Sequence, residues 1–297
     1  MRDVFTSHGD GVPGRAMDKK LVVALAAMAA MVWLSPGQAQ SDILIEVDLG
    51  RTEGLFTKSP VVQRAILAMP ATPTDTALLY FRGYPGIARI QSVEDKQRNL
   101  QPFMRMNQRL FASEGIALVV VDCPTDQWGS PSGRPTACLD GYRSSTQHAE
   151  DVRRVIARLK AEHGLTRIYV MGHSFGTISS RWLAKNLGSE ISGSIHSASM
   201  NGFNPQGFAT SLSKFSYSDI AAPALHVHNE NDACEYTPYS AVRAYAGQNL
   251  VTVRGGVRGG DPCGATHLHS YQGREEVVVR AIIAWIKTGK VDPVVGE

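Results

Sequence analysis

Only four cysteines occur in 297 residues, and no two of them form a C-x-x-C pair. That absence argues against metal binding by the cysteines. Charge is sparse as well: Asp, Glu, Lys and Arg make up 19% of the chain, and the net formal charge is +3. No basic cluster interleaves with aromatic residues, so nucleic acid is not expected as a partner. The N-terminal apolar run, Leu21 to Leu34, holds 14 residues, which is short for a membrane span. There is no internal repeat, no low-complexity stretch and no linker-like segment. What remains is an ordinary hydrophobic content of 43%, enough for a sizeable core.

The apolar run follows Lys19-Lys20 and precedes Ser35-Pro36-Gly37-Gln38-Ala39. A basic region, an apolar region and a small-x-small site make a secretory signal, cut most simply after Ala39. Residues 1–39 are therefore read as an N-terminal extension and signal peptide, with Met17 as a second possible start. Residues 40–297 form one domain. An uncleaved anchor is the alternative. No cysteine follows the apolar run, so a lipid anchor is not indicated, and no stable membrane insertion is expected after cleavage. The expected location is periplasmic or secreted.

Export changes how the cysteines read. An even number in an oxidising compartment points to two disulfides. Three pairings are possible for Cys123, Cys138, Cys234 and Cys263. Cys123–Cys138 closes one loop, and Cys234–Cys263 ties two later loops together, so this pairing is favoured. Free buried thiols are the alternative.

From about residue 43 onward, short apolar runs alternate with amphipathic segments. Strands are expected at 43–47, 62–67, 77–81, 117–122, 167–171, 193–198, 224–228 and 250–253. Several are continuous in Val, Ile and Leu, as strands buried on both faces are. Val152, Val155, Ile156 and Leu159 repeat at helical spacing, as do Val278, Ala281, Ile282, Trp285 and Ile286. Leu100, Phe103, Met104, Leu110 and Phe111 suggest a further helix ended by Gly115. Such alternation predicts an α/β fold with a mostly parallel sheet of eight strands and helices on both faces.

Gly172-His173-Ser174-Phe175-Gly176 stands between a predicted strand and a predicted helix. A strand, a sharp turn and a helix with serine at the apex is the context in which G-x-S-x-G carries chemistry. A serine hydroxyl is a poor nucleophile unless a base takes its proton and a carboxylate orients the base. In parallel sheets such groups converge at the C-terminal strand ends. After the strand ending at His228 comes Asp232, the preferred acid, with Glu230 as runner-up. The glycine-rich stretch after Val253 carries His267 and His269. His269 is preferred as the base because the following aromatic, Gly and Glu give it a defined seat; His267 stays open. Stabilising the oxyanion calls for backbone donors at Phe175 and, in Arg82-Gly83-Tyr84-Pro85-Gly86, at Tyr84, since Pro85 has no N–H.

With these residues in place the chain resembles the α/β-hydrolase superfamily over about residues 43–290. It resembles in particular small exported, dienelactone-hydrolase-like members. The helix from Ser144 to Lys160 with His148 and Asp151, and the cysteines that accompany the two late triad members, carry that finer likeness. The resemblance implies an acyl-enzyme on Ser174 and hydrolysis by water, without cofactor or metal. The segment from Ser199 to Ala222, about two dozen residues, is too short for a large cap, and no His-Gly-Gly-Gly run is present. Met200, Phe203, Phe208, Phe215 and Tyr217 are candidates to line an acyl or aryl pocket, or simply to pack the segment.

The leading expectation is an enzyme that cleaves small-molecule esters. The same triad serves a peptidase or amidase, and fold does not settle substrate. A non-catalytic binding protein and a zinc hydrolase using His226-x-His228 and His267-x-His269 are the other readings. Acyl group, alcohol group and oligomeric state are not legible.

Overall fold

The computed structural model describes residues 42–296, apart from 55, 130–137, 204–206 and 208. The predicted signal peptide and Phe208 lie outside the described residues.

The sheet has the order β1-β2-β4-β3-β5-β6-β7-β8-β9. Strands β1 (Ile43–Glu53) and β2 (Ser59–Ala68) pair antiparallel, and β2 pairs antiparallel with β4 (Ala117–Val121). From there the sheet is parallel: β4, β3 (Thr76–Phe81), β5 (Arg167–His173), β6 (Gly193–Ser197), β7 (Ala224–Asn229), β8 (Leu250–Val253) and β9 (Val294–Val295). The eight predicted strands are all present. The ninth, at the edge, corrects the expected count; a two-residue strand leaves no periodic pattern to read.

Alternate residues of the central strands feed two apolar layers. On one face Leu78, Tyr80, Leu118, Val120 and Met171 pack with Phe103, Met104 and Phe111 of α1 (Pro102–Ser113) and with the C-terminal helix. On the other face Leu79, Phe81, Val119 and Val170 meet Val152, Val155, Ile156 and Leu159 of α2 (Thr146–His163). Leu183, Ala184 and Leu187 of α3 (Thr177–Leu187) complete that layer. Ser145 caps α2 by accepting the His148 N–H at 3.1 Å. Two further helices are α4 (Tyr239–Ala246) and α5 (Glu275–Thr288), beside short helical turns at Lys96–Asn99 and Asp140–Arg143. The helical stripes read from the sequence are thus core faces. Because β3 and β5 to β8 run parallel, their C-terminal ends gather at one edge of the sheet, where the loops carrying Tyr84, Ser174, Asp232 and His269 begin.

Among the described residues no helix is long and apolar enough to cross a membrane.

Candidate active site

The turn after β5 explains its own sequence. Ser174 adopts φ +53°, a left-handed conformation that costs a non-glycine residue about 1 kcal/mol or more. The chain then folds back so tightly that a Cβ on Gly172 would stand 2.2 Å from the Gly176 carbonyl oxygen. A Cβ on Gly176 would stand 2.1 Å from the Phe81 carbonyl oxygen of β3. Both glycines are therefore required by close backbone approach. Thr177 closes the turn: its hydroxyl donates to the Ser174 carbonyl at 2.6 Å and accepts the Met200 N–H at 3.1 Å.

Asp232 lies past the end of β7, and water does not reach its side chain. Nδ1–H of His269 donates to its carboxylate at 2.9 Å. The Thr237 hydroxyl donates to the same oxygen at 2.9 Å, and the Cys234 N–H donates to the other at 3.0 Å. Nε2 of the fully buried His228 is 2.9 Å from the Thr237 carbonyl and 3.2 Å from the Asp232 carboxylate. Both neighbours only accept, so Nε2 of His228 carries the proton. Burial by itself would raise the Asp232 pKa. The hydrogen bonds from His228 and His269 reverse that and hold the carboxyl well below the usual range, so it is ionised. With Nδ1–H turned to Asp232, His269 keeps Nε2 as a proton acceptor.

Two residues after His269, Tyr271 anchors the stretch in the core. That side chain is fully buried; its hydroxyl donates to the Val227 carbonyl at 2.8 Å, and its ring meets Phe103 edge-on at 5.2 Å. The ring of His269 lies 5.1 Å from that of His173, the residue before Ser174. Ser174, Phe175, Tyr84, Gly83 and His269 all line one cavity of about 280 Å³. No hydrogen bond joins the Ser174 hydroxyl to His269 in this structure; both residues line the cavity, and such contacts commonly tighten only around substrate. Gly83 and Tyr84 lie beside the turn. A Cβ on Gly83 would touch Ser174 Cβ at 3.4 Å, and the rings of Tyr84 and Phe175 meet edge-on at 5.9 Å.

Both favoured disulfides form, Cys123–Cys138 and Cys234–Cys263. The second lines the same cavity and joins the Asp232 turn to the stretch leading to His269.

Glu230 pairs with Arg254 at the surface. His267 is buried, and its carbonyl accepts the Ser270 and Gln272 N–H groups. Among the described residues no three His, Cys, Asp or Glu side chains group as a metal site. Asp151, in the helix that carries the finer likeness, binds Arg51 and the Tyr142 hydroxyl.

The pocket lining needs correction. Of the described residues proposed from the Ser199–Ala222 segment, only Met200 faces the cavity. Phe203 is exposed, Phe215 packs edge-on against Trp182 at 5.6 Å, and Tyr217 stacks on Tyr245 at 4.7 Å beneath the buried Arg181. The aromatic lining comes instead from Tyr84, Phe175 and Tyr236. A larger groove of about 550 Å³ surrounds Thr76, Gly115, Arg167 and Lys287 at the opposite strand ends and holds none of these residues.

No protein-family model matches the chain, and no curated protein matches its sequence. Solved structures do. A dienelactone hydrolase assignment from Klebsiella pneumoniae superposes with a TM-score of 0.52 at 15% identity, over 84% of this chain and 99% of that one. A cold-adapted esterase from an Arctic intertidal metagenomic library, in a zinc-bound structure, gives 0.51 at 12% identity, over 84% and 94%. Est1E from Butyrivibrio proteoclasticus with ferulic acid bound gives 0.50 at 18% identity, over 76% and 95%. Together with the strand order and the elbow at Ser174, these likenesses establish that the chain has the fold of the α/β hydrolases.

Proposed function

We propose that this protein is a serine hydrolase of carboxylic esters. The single observation that carries the reading is the strained Ser174 in one cavity with His269, whose Nδ1–H is held by the buried Asp232. In this reading Ser174 Oγ attacks the ester carbonyl while His269 Nε2 takes its proton. The tetrahedral oxyanion is met by the backbone N–H groups of Phe175 and Tyr84, each worth about 3 kcal/mol in the transition state. Collapse of the intermediate breaks the ester bond, and His269 passes the proton to the departing alcohol. Water then repeats the sequence on the acyl-enzyme and releases the acid.

The names of the structural neighbours support an ester rather than an amide: one is a cold-adapted esterase, and another, Est1E, holds ferulic acid, an aromatic acid. Tyr84, Phe175, Tyr236 and Met200 give the cavity walls suited to a short acyl or aryl group. The two disulfides support export to an oxidising compartment. The test is hydrolysis of p-nitrophenyl esters of graded chain length beside a panel of dipeptides. Ester turnover that disappears in Ser174→Ala is expected. Equal or greater turnover of peptides, or ester turnover that survives the substitution, would overturn the reading.

A further inference from the structure

Arg143 ends a short helical turn, Asp140–Arg143, and is only 2% exposed. Its guanidinium donates from Nε to the Cys138 carbonyl at 2.8 Å, from Nη1 to the Ser179 hydroxyl of α3 at 2.6 Å, and from Nη2 to the Gly86 carbonyl at 3.3 Å. Every one of these acceptors is neutral, and among the described residues no carboxylate forms an ion pair with it. Its Cζ lies 5.2 Å from the centre of the Phe175 ring. A Cβ on Gly86 would stand 2.0 Å from Nη2, so the Gly83–Gly86 loop rests directly on the guanidinium. The Cys138 N–H holds the same loop by donating to the Pro85 carbonyl at 3.2 Å.

Burial pushes the Arg143 pKa down to about 10, which leaves the group charged at neutral pH. A buried charge with only neutral partners is costly, and an apolar side chain would fill the space at lower cost. The place of the charge gives it a use. It stands beside Phe175 and under the loop of Tyr84, the two residues proposed to meet the oxyanion. A fixed positive charge there favours negative charge as it develops on the substrate.

We propose that Arg143 is a positioning residue of the oxyanion hole: its guanidinium sets the Gly83–Gly86 loop against the Ser174–Phe175 turn and supplies a fixed positive charge behind it. The inference rests on the serine-hydrolase reading. It deepens that reading by naming a residue that acts through the loop without touching the reacting atoms.

The experiment compares Arg143→Met, which removes the charge, with Arg143→Lys, which keeps the charge and loses the fork. In Arg143→Met, kcat for an ester is expected to fall ~30-fold, or about 2 kcal/mol at 1.36 kcal/mol per tenfold. KM should stay within about twofold, since ground-state binding is not involved. Arg143→Lys should lose less, about 5-fold, because the charge term survives. A boronic acid that forms an anionic tetrahedral adduct on the serine should weaken by the same factor as kcat/KM. A folded Arg143→Met with wild-type kcat overturns the proposal, and so does boronate affinity that does not follow kcat/KM. If Arg143→Met does not fold, Arg143→Lys decides alone: parallel losses in kcat and boronate affinity support the proposal, and no loss in either overturns it. Failure of the underlying reading looks different, because the wild-type protein would then neither turn over esters nor bind the boronate.

Discussion

Asp232 and His269 are joined by a 2.9 Å hydrogen bond from Nδ1 to a carboxylate oxygen sealed from water. That bond sets the imidazole tautomer and leaves Nε2 toward the cavity. Asp232→Asn would turn an amide toward Nδ1 and favour the opposite tautomer. The expected result is a fall in kcat of about 10⁴-fold with little change in KM. Steady-state kinetics on a p-nitrophenyl ester check this, and a loss below about tenfold would show that Asp232 does not orient the base.

Thr237 is the second hold on the same carboxylate, and it is fully buried. Thr237→Val keeps the shape and removes the hydroxyl. A hydrogen bond to a charged group is worth about 1.5–3 kcal/mol, so kcat should fall ~10-fold or more while the fold persists. The measurement is kcat against KM together with a urea unfolding curve. A variant with unchanged kcat would mean that His228 and the Cys234 N–H hold Asp232 without it.

The Cys234–Cys263 disulfide spans a sequence separation of 29 and lines the cavity. In the chain-entropy account a loop of that size adds about 3–4 kcal/mol of stability. Replacing both cysteines by serine should lower the urea midpoint accordingly and raise KM, because the Asp232 turn and the stretch before His269 are no longer tied. An unfolding midpoint and KM both equal to those of the wild type would contradict this.

His148 tests the pH dependence of stability. It is fully buried between Phe81 and Tyr142, neither ring nitrogen has a hydrogen-bond partner among the described residues, and burial pushes its pKa down to about 3. The unfolded chain carries an ordinary histidine near 6.5. Between those values acid protonates the unfolded state alone, so stability is lost as pH falls from about 6.5 toward 3. Each pH unit in that window costs about 1.4 kcal/mol for this residue. In His148→Phe the drop in unfolding free energy between pH 7.5 and pH 5 should be smaller by about 2 kcal/mol. Equal drops in the two proteins would show that His148 takes no part.

Much of this architecture is written locally. Continuous Val, Ile and Leu runs mark strands buried on both faces, Gly172 is dictated by backbone contact inside the Ser174 turn, and Gly176 by the close approach of the end of β3. Asp232 stands out in the sequence because it sits just past the end of β7, and His269 because it lies in a glycine-rich stretch recognisable from composition; their roles as acid and base are those proposed above. What the chain does not spell out is which distant side chains converge. Thr237 stands two residues before α4, where nothing in the sequence marks it, yet its hydroxyl is committed to Asp232. His228 reads as half of a zinc pair and turns out to lie against the same carboxylate. Phe215 and Tyr217 have the composition of a pocket wall but are drawn into the packing of Trp182, Arg181 and Tyr245. Arg143 carries no signal at all, since nothing in a sequence marks an arginine that will be buried without a carboxylate. Periodicity reports which face is covered and is silent on the partner that covers it.

The central claim is that Ser174 is an activated nucleophile, and covalent labelling tests it most directly. After treatment with a fluorophosphonate, intact mass and peptide mapping should find one adduct per chain, on Ser174, and none in Ser174→Ala. No adduct on the wild-type protein, or an adduct on another residue that persists in Ser174→Ala, would contradict the account.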